Sequence, residues 1–336
     1  MSHELFGLFI FTTKALIIVV LLLFLLIGIV AILTRGKEKL SGKIQIKHLN
    51  KKYQDIREGL LEKILPKKQF KKIHKESKKA EKTEKELAGK NPKKHIFIIN
   101  FNGDIKASAV TSLREEITAV LGIATREDEV VVKIESAGGM VHAYGLAASQ
   151  LLRIRKQHIP LTVIVDKMAA SGGYLMACVA NKIIAAPFSI IGSIGVIVQL
   201  PNFHRLLKEK HVDFEQLTAG NFKRTITLFG HNTEEGRKKM LEEIEDIHGL
   251  FKNLIQEYRE DIDIQKVSTG EHWVGSQALN LKLIDELGTS DDYLLSQSKH
   301  AELYEIHYII KKSLSEKLTS TMNLLKDRSI EKTYFM

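Results

Sequence analysis

Apolar and polar positions fall into three textures along this chain. The first is an unbroken apolar run from Ala15 to Leu33, 19 residues without a charge. As a helix rising ~1.5 Å per residue it would span ~28 Å, close to the ~30 Å hydrocarbon core of a bilayer. The Phe6–Phe11 stretch before it can lengthen the run if the helix tilts. A cleaved signal peptide usually carries ~7–15 apolar residues followed by a small-x-small site. This run is longer and ends in Ile32-Leu33-Thr34-Arg35. An uncleaved membrane anchor over residues 1–34 is therefore expected. The apolar stretch Ile183–Leu200 is broken by Pro187, Gly192 and Gly195, and reads as buried core rather than a second span.

The second texture, residues 35–94, is Lys-rich and nearly free of aromatics. Its Glu/Lys spacing permits helix with i,i+4 pairs. The plain expectation is a solvated, partly disordered stalk; the sharper one is contact with anionic headgroups, worth ~1 kcal/mol per basic residue near the surface. Asn91–Lys94 reads as the end of a linker.

From His95 the texture changes again. "HIFIINF", "EVVVKIES", "LTVIVD" and "NKIIAAP" are short β-branched runs bounded by turn signals, hence buried strands. Helical patterns separate them at Val110–Leu121, His142–Lys156 and Ala169–Ala180. Strand–helix alternation at this spacing predicts an α/β fold with parallel pairing. A long amphipathic helix follows over Thr233–Asp261, capped near Asn232–Thr233, and a short one over Ser276–Asn280.

Charge and cysteine usage narrow the picture. Of 50 basic and 40 acidic residues, 21 and 8 lie in residues 35–94, a surplus of 13, while residues 95–336 hold 28 and 31. The basicity belongs to one segment, and a nucleic-acid partner inferred from the overall charge would be misplaced. The lone cysteine, Cys178, excludes an internal disulfide framework and a Cys-cluster zinc site. The basic residues follow the anchor, which by the positive-inside rule puts the bulk of the chain in the cytoplasm.

Candidate chemistry sits at two glycine pairs. Ser136-Ala137-Gly138-Gly139 closes the strand "VVVKIE"; Ala169-Ala170-Ser171-Gly172-Gly173-Tyr174 follows the strand "LTVIV". Such turns free backbone N–H groups to face a ligand, and two of them from neighbouring parallel strands can converge at the carboxyl ends of a sheet. One can supply an oxyanion hole and the other a nucleophile. With Ala169 in the first glycine position, G-x-S-x-G is not met. No histidine pair has metal-like spacing, and His142, His158 and His204 read as surface or core residues. Ser171 needs a base, either a His–Asp pair or a lysine whose burial lowers its pKa by several units from ~10.4. Lys223, among Phe222, Ile226, Leu228 and Phe229, has an apolar setting; Lys167, four residues before Ser171, also competes. The spacing alone does not choose. Tyr174 and Met176 read as core, Asp166 as a turn or cap, and Trp273, Gly275 and Ala278 as a structural closing motif.

Taken together, "KIESAGGMVHAYGLAASQL", "VDKMAASGGYLMACVANKIIAAPFSIIGSIGV", "TAGNFKRTITLFG" and "EHWVGSQALNLKLIDELG" resemble the signal peptide peptidase family of bacterial membrane serine proteases, in particular its SohB branch. The likeness covers roughly residues 95–290 plus the anchor. It implies a Clp protease/crotonase-like α/β superhelix of strand–strand–helix units, with 291–336 a C-terminal extension. It implies Ser171 as nucleophile and Lys223 as general base. Ser193 in "GSIGV" would orient the Lys amine, and the backbone N–H groups of Gly138 and Gly172 would hold the oxyanion. Ser193 also has a plainer reading, as a turn hydroxyl. Where the family commonly has Pro before its first glycine pair, this chain has Ala137, which loosens the turn but removes no donor.

The resemblance implies no metal or organic cofactor and no nucleic-acid partner. It implies peptide or unfolded-protein substrates such as signal-peptide remnants, a homo-oligomer, and a place in the bacterial inner membrane. Several members carry the catalytic domain on the face opposite to that given by the charge rule. Two other functions fit parts of the pattern. A crotonase-like acyl-CoA enzyme would need neither Ser171 nor Lys223, and a non-catalytic membrane-tethered scaffold would need only the stalk.

Overall fold

Helix α1, Ser2–Arg35, is continuous in the computed structural model, which describes residues 2–35, 42–88 and 93–309. Its 18-residue window Phe11–Gly28 has a mean hydropathy of 2.6 and none of it is buried, so it is long and apolar enough to cross a membrane. The sequence-based expectations for 36–41, 89–92 and 310–336 lie outside the described residues.

The remaining elements form a second compact unit, Ile44–Tyr308. In chain order they are β1 (Lys43–His48), α2 (Leu49–Ile64), α3 (Lys67–Ala88), β2 (Lys94–Gly103), α4 (Val110–Leu121), β3 (Glu129–Ser136), α5 (Val141–Lys156), β4 (Leu161–Val165), β5 (Met168–Ala170), α6 (Gly172–Ala177), β6 (Lys182–Ala185), β7 (Ile190–Gly192), α7 (His204–Glu209), α8 (Glu234–Tyr258), α9 (Ile264–Val267), β8 (His272–Val274), α10 (Gly275–Asn280), β9 (Glu286–Leu287), α11 (Ser290–Gln297) and β10 (Ala301–Ile309). The main sheet runs β1-β10-β2-β3-β4-β6-β9; β5, β7 and β8 form a branch, with β5 paired to β3. The α/β expectation holds, and β4-β5-α6 is a strand–strand–helix unit of the kind expected.

Why the strand runs are continuously apolar is visible in the packing. Phe97, Ile99, Phe101, Val130, Val132 and Ile134 pack on one face of the sheet with residues of α4 and α5. Ile96, Ile98, Val131 and Ile164 pack on the other, with Leu49 of α2 and Leu294 of α11. A parallel sheet covered on both sides has no solvent face and so no alternation. The pairing is parallel throughout β10-β2-β3-β4-β6-β9.

Three sequence expectations change. The stalk range contributes β1, α2 and α3, and the range assigned to a C-terminal extension contributes α11 and β10. The compact unit is accordingly wider than 95–290. Ala169–Ala180 is not one helix: Met168–Ala170 is drawn into strand by ladders to β3 and β7, and the helix begins at Gly172. Ile183–Leu200 is core only in part. Ile183, Ile184 and Ile191 are buried, but Ile197, Val198 and Leu200 are exposed, because the chain leaves the sheet after β7. Helix α8 does carry the expected cap, with the Thr233 hydroxyl accepting the Gly236 N–H at 3.1 Å.

Candidate active site

The carboxyl ends of β3, β5 and β7 lie side by side. Ser136 of β3 is in register with Ala169 of β5, and Ala170 of β5 with Gly192 of β7. The next residues along these strands are the candidates themselves. Ser171 follows β5, Ser193 follows β7, and Gly138 lies two residues past β3. The sheet register therefore brings Ser171 between the first glycine pair and Ser193.

Ser171 occupies a sharp strand-to-helix turn with φ 50° and ψ −118°, a region non-glycine residues rarely adopt. Its neighbours hold it there. The Ser171 N–H donates to the Gly192 carbonyl at 2.7 Å, and the Ser171 carbonyl accepts from Leu175 N–H at 2.9 Å. The side chain is half-buried.

The two glycine turns touch. Gly138 has φ +88°, and a Cβ placed on it would lie 2.6 Å from Gly172 N, 2.8 Å from Ser171 Cβ and 2.9 Å from Ala170 O. Only a residue without a side chain permits that approach. At Gly172 a Cβ would run into the Tyr144 ring, so both donors are glycine for reasons of space. Gly172 N–H is the first amide of α6 and has no acceptor within that helix. Gly138 N–H donates to Ser136 Oγ at 3.0 Å.

Behind the glycine turn lies a network the sequence reasoning missed. Ser136 Oγ is 2.5 Å from Tyr144 Oη, and Tyr144 Oη donates to the Asp104 carbonyl at 2.7 Å. Tyr144 is fully buried, and burial raises its phenol pKa against the opposing hydrogen bond with Ser136. The fixed spacing of Ser136 and Tyr144, a strand end and the next helix, is the signal that could have revealed the pair.

Lys223 stands apart. It is exposed, in an irregular stretch, and its backbone N–H donates to Gly220 O at 3.1 Å. Among the described residues no hydrogen bond joins its amine to Ser171. The apolar setting expected around it is only partly present: Ile226 and Leu228 are half-buried, while Phe222 is exposed with the Lys239 amine 5.7 Å from its ring centre. The competing lysine, Lys167, is held by Glu135 at 2.9 and 3.1 Å on the surface. Ser193 is half-buried with φ 52°, its N–H donating to Glu271 O at 2.6 Å.

The structural readings fare well. Tyr174 and Met176 are fully buried, the Tyr174 hydroxyl donating to Leu283 O at 2.9 Å. Asp166 accepts both the N–H and the hydroxyl of Ser290, at 2.7 and 2.6 Å, and so fixes the start of α11. Gly192 lies against the Trp273 ring, the Gly275 N–H donates to Ser189 O at 2.8 Å, and Ala278 is buried. Cys178 is fully buried, which pushes its thiol up to about 12 and removes it as a nucleophile. A surface cleft of about 540 Å³ lined by Leu152, Arg155, His158 and Tyr258 contains none of the candidate residues.

The model for "Peptidase family S49 N-terminal" matches residues 3–151, and that for "Peptidase family S49" matches residues 153–304. The chain belongs to peptidase family S49. Among its relatives in this family, "Probable protease SohB" of Buchnera aphidicola subsp. Acyrthosiphon pisum is 52% identical over 250 residues, 74% of each chain. "Probable protease SohB" of Haemophilus influenzae is 45% identical over 309 residues, covering 89% of this chain and 88% of that protein. A solved mutant of the 1510-N membrane-bound stomatin-specific protease, in complex with a substrate peptide, aligns over 69% of this chain and 98% of that one at 15% identity, with a TM-score of 0.44. As an S49 member the chain is a peptidase, and the SohB branch inferred from its motifs agrees with these relatives.

Proposed function

We propose that this S49 peptidase is a membrane-anchored serine endopeptidase of the bacterial inner membrane, held by α1, that uses Ser171 as nucleophile and Lys223 as general base. The observation that carries this reading is the contact of the two glycine turns. It sets Gly138 against Gly172 N and Ser171 Cβ, so that two backbone amides flank a serine held in a strained turn. In the proposed cycle neutral Lys223 takes the Ser171 proton as Oγ attacks a peptide carbonyl. The carbonyl electrons move onto oxygen, which accepts hydrogen bonds from Gly138 and Gly172. For this Gly138 must share or release the N–H now given to Ser136 Oγ. The collapsing intermediate expels the amine, protonated by Lys223, and leaves an acyl-serine. Water, deprotonated by Lys223, then repeats the attack and frees Ser171. Ser193, beside Ser171 in the sheet register, orients the lysine amine.

The exposure of Lys223 sets a condition on this chemistry. Its amine must be withdrawn from water before it can act as a base. Closure of the 195–233 stretch over bound peptide, or its burial in a homo-oligomer, would meet that condition. The substrates are extended apolar peptides such as signal-peptide remnants or membrane-protein fragments. To test the reading, the full chain in detergent is offered an apolar fluorogenic peptide and a serine-directed phosphonate probe. Cleavage and Ser171 labelling are expected in the parent, no cleavage in Ser171→Ala or Lys223→Ala, and no labelling in Ser171→Ala. Equal cleavage by all three, or turnover of CoA esters that survives both changes, would end it.

A further inference from the structure

We propose that the exposed lysine face of the first part of α3, residues 67–79, docks on anionic phospholipid headgroups. At ~100° per residue, with Lys67 as zero, Lys78 falls at ~20°, Lys71 at ~40°, Lys75 at ~80°, Lys68 at ~100°, Lys79 at ~120° and Lys72 at ~140°. Seven lysines share one arc, and all seven are exposed. The acid within this stretch, Glu76, falls at ~180°, outside the arc. The other side of the helix is different. Phe70, Ser77 and His74, at ~280–340°, are half-buried; His74 Nδ1 lies 3.2 Å from Glu58 Oε2 of α2, and its ring stacks on Phe70. Helix α3 thus meets α2 through His74 and turns these lysines outward.

Charge and chain order select the occupant. Residues 67–79 carry seven lysines against one glutamate, while residues 95–336 carry 28 basic against 31 acidic side chains, so the cationic face is not general surface character. The arc contains lysine and no arginine. Point charges on flexible stems suit a diffuse layer of phosphates, whereas bidentate recognition of a single phosphate favours arginine. The aromatic residue nearby, Phe70, is half-buried and stacked on His74 outside the arc, so the arc itself carries no aromatic face for nucleic-acid bases. Finally, in the sequence 13 residues lie between the end of the apolar α1 and the start of α2. The inference rests on α1 as anchor but not on Ser171 or Lys223.

The test places the full chain in nanodiscs of phosphatidylcholine alone or with ~30% phosphatidylglycerol. A fluorophore on Gln69→Cys, exposed and ~60° past the last lysine of the arc, reports contact; Cys178 is buried and does not compete for label. Quenching by a headgroup-borne quencher should be about fivefold stronger in the anionic discs and fall away in 1 M KCl, where the Debye length shrinks to ~3 Å. Changing Lys67, Lys71, Lys75 and Lys78 to Glu should abolish the difference. Changing the exposed Lys156, Lys208, Lys266 and Lys299 to Glu, an equal charge loss elsewhere, should preserve it. Equal quenching in both discs, or a difference that survives the α3 substitutions, overturns the proposal. Should α1 fail to retain the chain in neutral discs, co-elution with anionic discs alone still supports it, and absence from both overturns it.

Discussion

Around Ser171 three parallel strand ends lie side by side, the Ser171 and Gly138 amides have partners in Gly192 O and Ser136 Oγ, and glycine is required where Gly138 and Gly172 approach their neighbours. Around Lys223 the chain is built differently. Between β7 and α8 the described structure holds one six-residue helix, α7, and packs largely on itself: Phe203 stacks on Phe229, Phe203 N–H donates to Leu228 O at 2.7 Å, and the Asn202 amide bridges Thr227 O and Gly230 O. Leu217 is 95% exposed. One half of the proposed dyad is preformed by the sheet; the other is carried on a self-contained surface segment. A strained nucleophile survives only where the surroundings over-determine it, whereas a base that must be dried before use can wait in water until substrate or a neighbour covers it.

The largest effect that would sharpen this contrast comes from exchanging lysines. Lys223→Met should lower kcat by roughly 10³-fold, within the range a general base contributes, while Lys167→Met, which loses only a surface pair with Glu135, should change kcat less than about twofold. The reverse ranking in a steady-state peptide assay would move the base to the preformed side. Next comes Gly138→Ala. Its Cβ meets Gly172 N and Ser171 Cβ, so activity should drop about 10²–10³-fold through loss of oxyanion geometry; a fully active, folded variant would remove Gly138 from the site.

Tyr144→Phe should act more gently. It deletes the hydroxyl between Ser136 and Asp104, costing about 1–3 kcal/mol in denaturant unfolding and about tenfold in kcat, because the turn loosens without losing a donor. The smallest effect is a matter of pH. Burial pushes the Asp128 carboxyl up, but hydrogen bonds from Thr125 and His95 prevail and hold it below its ordinary value. A depressed folded pKa contributes stability above the unfolded value of ~3.9, and that stability is lost as pH falls through the folded value. The parent Tm should therefore fall more steeply below pH ~4 than that of Asp128→Ala, which begins lower at neutral pH. Parallel acid curves would assign the loss to other carboxylates.

Much of this was legible in the residue order, and the rest was hidden for definable reasons. The strands of the central sheet announced themselves because burial on both faces leaves unbroken β-branched runs. The Ser171 turn was legible because glycine pairs mark places where backbones touch. The β5 strand was not: its three residues, Met168-Ala169-Ala170, have weak strand preference and become strand only through ladders to β3 and β7. Strands β1 and β10 were lost in Lys-rich or terminal sequence, where the exposed positions of β1 and the half-buried ones of β10 blur the pattern. The exposure of Lys223 was equally hidden, since Phe222 and Phe229 look like core residues until their neighbours are known.

Strand β10, from the far end of the compact unit's sequence, lies between β1 and β2, which come from its first part. The ribosome releases Arg35 and then makes 265 further residues before reaching Ala301. At about 5–20 residues per second that interval lasts about 15–50 seconds. Through it the nascent polypeptide has its long apolar helix complete while the facing edges of β1 and β2 still await the strand that joins them. Synthesis thus fixes the order of events: the apolar helix first, sheet closure last.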